Sequence, residues 1–302
     1  MPTPRSPNGM LTEPPEDRPL AWITGAGGFI GGHLLQTARR RAPRWRLRPL
    51  ARPEFDLLDF AAVEAEFRRE PPQLIIHCAA VSSVAEARAN PARAQQVNVE
   101  LTRFLAGLAG GGAFVFFSTD LVFDGRQGNY SETATVNPLH HYGETKAAAE
   151  QVVLGHPRPL VLRTSLNGGQ SRTADRAFNE QLRLALRDGR ELTLFTDEFR
   201  SPIPVAVTLR VLWELVENHC AGLFHVAGAE KLSRWQIGDL LLRRWPELHP
   251  QRDRIKPGSA RDFPGPPRAL DTSLDIAKVQ AVLSEPIPGL TAWLAAHPHE
   301  PF

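Results

Sequence analysis

Leu20-Ala21-Trp22-Ile23-Thr24, followed directly by Gly25-Ala26-Gly27-Gly28-Phe29-Ile30-Gly31-Gly32-His33-Leu34-Leu35, decides the fold. The first five residues form an apolar run with the length and composition of a buried strand. The glycines make a tight turn, and the residues beyond it open a helix. Strand, glycine turn and helix N-terminus together make a pyrophosphate site. Glycine lets the backbone approach closely, and the helix end offers free N–H groups at the positive end of its dipole. The register is GxxGxxG at Gly25, Gly28 and Gly31; GxGxxG starting at Gly25 would need glycine where Ile30 stands. Gly25, Gly28, Phe29, Ile30 and Gly31 are therefore the first candidate cofactor contacts.

Outward from this stretch, strand and helix signals alternate, which favours a parallel sheet. Strands are expected at Leu20–Thr24, Arg46–Ala51, Leu74–Cys78, Ala113–Ser118 and Leu160–Arg163, with helices at Phe29–Arg41, Ala61–Arg69, Pro91–Leu108 and Tyr142–Leu154. Phe114-Val115-Phe116-Phe117 is apolar on both faces, as a central parallel strand is. After Ser165 the pattern loosens. A helix is expected at Arg176–Arg187, a strand at Leu223–Val226 and a helix capped by Ser233. A loop follows at Pro257–Pro267, then closing helices at Leu274–Leu283 and Leu290–Ala296.

Composition narrows the function classes. A chain of 302 residues accommodates a large α/β domain plus a smaller one. The net charge of +2 and the dispersed basic residues point away from nucleic acid; the one triplet, Arg39-Arg40-Arg41, ends the first helix, where cations suit the dipole. Two cysteines, Cys78 and Cys220, make neither a disulfide framework nor a metal cluster. No apolar run reaches the length of a membrane span. Met1 to Arg18 is Pro-rich and polar without an apolar core, and reads as a disordered leader.

Only four lysines occur beside 31 arginines, and one of them closes Tyr142-Gly143-Glu144-Thr145-Lys146. Tyrosine and lysine four residues apart share a helix face. A nearby ammonium favours the phenolate, so the phenol can exchange protons with a carbonyl or alcohol near neutral pH. Two neighbouring polar residues on a helix are the plainer alternative. At the end of the second strand, an acid would bond the ribose 2′-hydroxyl of NAD, whereas a base accommodates the 2′-phosphate of NADP. Ala51 stands where the acid is expected and Arg52 follows, so NADP(H) is preferred, with NAD(H) as the alternative. A solvated loop arginine is the other reading of Arg52.

GxxGxxG with a later YxxxK resembles the extended short-chain dehydrogenase/reductase family. Ser118-Thr119-Asp120-Leu121-Val122-Phe123-Asp124-Gly125 resembles the STDYVFDG segment of dTDP-4-dehydrorhamnose reductases. Pro138 to Lys146 resembles their PLNxYGxTK, and Arg163-Thr164-Ser165 their RTS. The resemblance runs from about Leu20 to about Leu294. It implies an α/β Rossmann fold, a doubly wound parallel sheet with a smaller C-terminal α/β substrate-binding domain. Residues 19–165 plus about 201–228 would form the cofactor domain, and about 166–200 and 229–302 the substrate region.

The resemblance also assigns roles. Thr119 would hydrogen-bond the substrate oxygen, with Ser118 its rival, while Tyr142 transfers the proton and Lys146 holds the cofactor ribose. Asp56 and Leu57 would meet the adenine, and Ala79, Ala80 and Val81 would line the path to the nicotinamide. Ser118, Thr164 and Ser165 would complete the cofactor site, and Asn98 would brace the active site. Asp120, Leu121, Leu166 and Arg200 would face the substrate, Arg200 as a bidentate donor to a diphosphate or else as solvated surface. Leu121 and Leu166 replace family aromatics, which weakens stacking. The implied activity is NAD(P)-dependent reduction of a 4-keto nucleotide sugar in the cytoplasm, without a metal or a membrane and with a homodimer left open. An epimerase of the same superfamily, or a non-catalytic regulatory subunit like that of methionine adenosyltransferase, is the alternative.

Overall fold

The computed structural model describes residues 18–300 and 302; the leader expected at the N-terminus falls, up to residue 17, outside them. β1 (Leu20–Thr24) is buried at every residue, and α1 (Phe29–Arg41) follows after the glycine turn. Then come β2 (Arg46–Leu50), α2 (Phe60–Arg69) and β3 (Leu74–His77). Next are α3 (Val84–Ala89), α4 (Pro91–Gln95), a π-helical turn at Gln96–Glu100 and α5 (Leu101–Ala109). β4 (Ala113–Thr119), α6 (His141–Leu154) and β5 (Pro159–Thr164) complete the first half.

The second half begins with β6 (Asn167–Gly168), α7 (Phe178–Arg187), β7 (Leu192–Phe195), β8 (Phe199–Arg200) and β9 (Ile203–Pro204). α8 (Val205–Glu217), β10 (Gly222–Val226), β11 (Leu232–Ser233) and α9 (Arg234–Arg244) follow, then β12 (Ile255–Gly258), α10 (Ala277–Gln280) and α11 (Leu290–Ala296).

Six strands make one parallel sheet in the order β10-β5-β4-β3-β1-β2. This is a Rossmann-type doubly wound sheet with helices on both faces. Alternation along β4 explains its doubly apolar sequence. Val115 and Phe117 join the cluster that contains Leu34 of α1 and Leu212 of α8, whereas Phe114 and Phe116 join the cluster of Leu101, Leu105 and Val153. The strand order reverses between β1 and β3, the place where such sheets receive ligands. There Thr24 Oγ1 accepts the N–H groups of Cys78 (3.2 Å) and Ala79 (3.3 Å), locking the two strand ends together.

The later elements form three two-stranded pairs: β7 with β12, β8 with β11 and β6 with β9. Two helical expectations change. α8 was not foreseen, because it follows Pro204 and carries Val205, Val207, Val211 and Val216, a composition that reads as strand. Between Leu274 and Leu283 only Ala277–Gln280 is helical. Leu274 instead bridges Tyr130, and the backbone hydrogen bonds Tyr130 N to Ser273 O and Asp275 N to Tyr130 O hold the segment extended.

Candidate active site

α6 places Tyr142 and Lys146 one turn apart, both buried. Its first turn presses on the short 3-10 turn Asp120–Val122 that ends β4. Gly143 permits this: a Cβ there would meet Leu121 O at 2.3 Å. The contact brings the Tyr142 phenol against the Thr119 hydroxyl. Burial, aided by the Asp120 charge and opposed by the Thr119 hydrogen bond, pushes that phenol up to about 12. The expectation that Lys146 acidifies Tyr142 is corrected here. Lys146 lies against β4, its Nζ 3.9 Å from the centre of the Phe116 ring, and burial lowers it to about 7 against the charge of Glu150. Asp120, and not Lys146, is the charge that acts on the phenol.

The π-helical turn supplies the brace. Its widened backbone carries Asn98, whose Oδ1 accepts the Val81 N–H at 2.8 Å. Its Nδ2 donates to Val81 O at 3.1 Å and to Thr145 Oγ1 at 2.9 Å. Thr145 in turn donates to Tyr142 O at 2.8 Å. The segment after β3 and the tyrosine helix are thus tied through one buried amide, which accounts for Val81 being fixed at the site.

The glycine turn fits a dinucleotide phosphate. Gly25 has φ +63°, and a Cβ there would stand 2.6 Å from Ala79 N. No side chain caps α1, so its first-turn N–H groups, from Phe29, Ile30 and Gly31, face outward without a side-chain acceptor. Ala79 and Ala80 flank this turn and are half-buried. Arg52 is exposed beyond β2, with no ion pair among the described residues. Asp56 is exposed and accepts Leu58 N–H at 3.1 Å, while Leu57 is buried beneath it. Thr164 Oγ1, at the end of β5, accepts from Asn167.

Two serines placed in the cofactor site by sequence have other partners. Ser118 donates to Glu150, and Ser165 donates to Asp120 Oδ2 at 2.8 Å. Asp120 also accepts from Thr119 (3.2 Å) and Thr272 (3.0 Å). It is a buried junction between the end of β4 and the later elements.

In front of Tyr142 opens a cleft of about 610 Å³. Thr119, Asp120 and Tyr142 form its floor; Leu121, Leu139, Leu166 and Phe263 are its apolar walls. Arg200 borders it but serves the protein. Its Nη1 donates to Phe199 O (2.7 Å) and Ala269 O (3.0 Å), its Nη2 pairs with Glu198 (3.0 Å), and its Nε lies 3.7 Å from Asp120. The expected diphosphate role for Arg200 is therefore revised. Besides Arg200, the cations on the cleft are Arg88, Arg234 and Arg268, which sequence reading missed. Only the position of Arg234 just after the helix cap Ser233 could have drawn notice. Burial, and then the charges of Arg268 and Arg200, depress His140 on the same wall.

Fold and site together define an extended short-chain dehydrogenase/reductase-like protein, with a glycine-turn sheet end beside a buried Thr–Tyr–Lys set. The family model described as RmlD substrate binding domain matches residues 21–296, and the chain belongs to that family. It is 31% identical over 264 residues to the dTDP-4-dehydrorhamnose reductase of Mycobacterium tuberculosis, covering 83% of each chain. It is 30% identical over 229 residues to the methionine adenosyltransferase 2 subunit beta of Danio rerio, covering 71% of this chain and 70% of that one. A solved dTDP-4-dehydrorhamnose reductase from Bacillus anthracis, in complex with NADP, shares the fold with a TM-score of 0.83 at 22% identity, covering 92% of this chain and 98% of that one. Among the described residues, no helix is long and apolar enough to cross a membrane.

Proposed function

We propose that the protein is an NADP(H)-dependent reductase of a 4-keto nucleotide sugar, with Tyr142 as the proton donor. The observation that carries this reading is the meeting of Thr119 and Tyr142 on the floor of the cleft, with Lys146 one helical turn beyond Tyr142. The nicotinamide, when bound, supplies hydride to the carbonyl carbon. Tyr142 Oη gives its proton to the carbonyl oxygen, and Thr119 Oγ1 holds that oxygen by a hydrogen bond. A phenol near 12 is protonated at neutral pH and so holds a proton to give. Lys146 orients the cofactor ribose, and Asn98 keeps Val81 and the Tyr142 backbone in register. The kinship with the M. tuberculosis reductase supports the reaction class.

NADPH oxidation across dTDP- and UDP-4-keto sugars and small ketones tests the reading. Turnover of a 4-keto nucleotide sugar well above that of the ketones is expected. Because Leu121 and Leu166 replace aromatics, dTDP-4-keto-rhamnose is expected to be outperformed by another substrate. NADPH binding without oxidation of any substrate would instead support the non-catalytic reading that the Danio rerio relative suggests.

Arg52 is assigned to the 2′-phosphate of NADP, since it is exposed beyond β2 and has no ion pair among the described residues. Arg52→Ala is expected to weaken NADPH binding ~10-fold, the worth of one charge-assisted contact, and to leave NADH binding unchanged. Titration of both nucleotides checks it, and an unchanged Kd ratio removes Arg52 from the role.

A further inference from the structure

The turn ahead of α7 is wound around one buried carboxylate. Glu180 accepts the N–H groups of Ser171 (2.6 Å), Arg176 (2.9 Å) and Ala177 (2.9 Å), and also the Ser171 hydroxyl (2.7 Å). Ala174 takes the left-handed corner at φ +56°, and its N–H closes back on Ser171 O at 3.2 Å. Asn179 fixes the approach, donating to Gly169 O at 2.9 Å and accepting Gly169 N–H at 3.1 Å. The segment is thus a wound platform and not a slack connection.

This platform is locked against the helix that follows the glycine turn. A Cβ on Gly169 would stand 2.8 Å from Val205 Cγ1 and 3.4 Å from Phe29 Cζ, so bare backbone packs near the first turn of α1. His33, one turn further, meets the Phe29 ring edge-on at 4.9 Å and hydrogen-bonds the Gln170 backbone. With the backbone so held, Arg172, Thr173 and Arg176 face Gly27, Gly28 and Phe29 across a recess of about 150 Å³.

The recess is charged on both sides with one sign. α1 has no acidic residue in its first turn and no side-chain cap, so its N–H groups and dipole present positive potential. Among the described residues no carboxylate lines the recess. Arg172 makes no hydrogen bond or ion pair among them, and the Arg176 side chain meets only its neighbour Asp175, through Nε at 3.4 Å. Both arginines are exposed, with their Nη donors untaken. Two guanidinium edges facing a bare helix N-terminus match the oxygens of linked phosphates.

We propose that Arg172 and Arg176 cap the pyrophosphate of the dinucleotide from the side opposite the glycine turn. This rests on the reading of that turn as an NADP(H) site. It makes the turn at 171–176, expected within the substrate region, an element that holds the cofactor. Glu180 and Asn179 act behind it by fixing the backbone from which the two arginines reach.

Calorimetric titration of the full chain with NADPH, and displacement of NADPH by NADH, test the proposal. Both nucleotides carry the pyrophosphate, and only NADPH carries the 2′-phosphate. Arg172→Ala is expected to weaken both ~10-fold and to leave their ratio at the parent value, whereas Arg52→Ala changes the ratio. Arg172→Ala/Arg176→Ala is expected to weaken both ~100-fold, and Arg172→Lys to recover part of the single loss. The Tm of each variant is expected to match the parent, since both side chains are exposed. Affinities for both nucleotides within twofold of the parent in the double variant would overturn the proposal. So would a loss confined to NADPH, which would move the arginines to the 2′-phosphate. A parent chain that binds neither nucleotide would overturn the cofactor reading and the cap with it. Failure of the reductase reading alone would appear as absent NADPH oxidation while both affinities still depend on Arg172.

Discussion

Tyr142→Phe is expected to bind NADPH as the parent does and to lose ~10²–10⁴-fold in kcat, the range of general acid–base catalysis. The substitution keeps the ring, which packs with Val81, Ala87 and Ala94, and removes only the hydroxyl that meets Thr119. The helix and the Asn98 brace are untouched, since Thr145 bonds the Tyr142 carbonyl and not its side chain. The pH profile separates the two members of the pair. Because kcat/KM reports the free enzyme, reduction by the parent is expected to fall as pH rises through about 7, where Lys146, lowered by burial, loses its proton. The Tyr142 group, near 12, contributes no limb in that window. Lys146→Met should flatten the limb at 7 and weaken NADPH binding. Turnover by Tyr142→Phe within threefold of the parent would assign the proton to another donor.

The largest effect on stability is expected from Arg163→Met. Arg163 and Glu150 are both buried and form a two-point pair, Nε to Oε1 at 2.9 Å and Nη2 to Oε2 at 2.7 Å. Removing the cation strands a carboxylate whose one remaining hydrogen-bond partner among the described residues is the Ser118 hydroxyl. Breaking a buried pair on one side costs ~3–5 kcal/mol, whereas replacing both partners is often near neutral. A fall in Tm on the order of 10 °C follows for the single variant. The double variant Glu150→Gln/Arg163→Met is expected to melt above it, a coupling that a double-mutant cycle measures. A single variant within 1 °C of the parent would mean that the pair contributes little.

The first half of the chain was legible because its local signals agree with its tertiary role. Leu20–Thr24 and Phe29–Arg41 appear at the expected bounds, since an apolar run, a glycine turn and a cationic helix end each act over a few residues. Thr119, Tyr142 and Lys146 were readable for the same reason, carried by short segments. The partners were not readable. Ser118 finds Glu150 across 32 residues and Ser165 finds Asp120 across 45, and nothing in either serine's neighbourhood announces them. Arg200 was chosen from an arginine-rich chain by its loop, whereas Arg234 and Arg268 line the cleft because of where Glu198 lies in three dimensions. α8 was lost to its valines, which the interior, burying Val205, Val207, Leu209, Val211, Leu212 and Leu215, turns into an advantage.

The π-helical turn between α4 and α5 acts as a phase shifter. A regular helix advances about 100° per residue, so one residue more or less swings everything beyond it to a different side. Here Ala94 ahead of the turn faces the small cluster around Tyr142, and Leu101 and Leu105 after it face the sheet. The segment therefore answers to two neighbours that a uniform helix could not satisfy together. Its length is fixed more tightly than its composition: a lost or gained residue would rotate Asn98 away from Val81 and Thr145 in a single step.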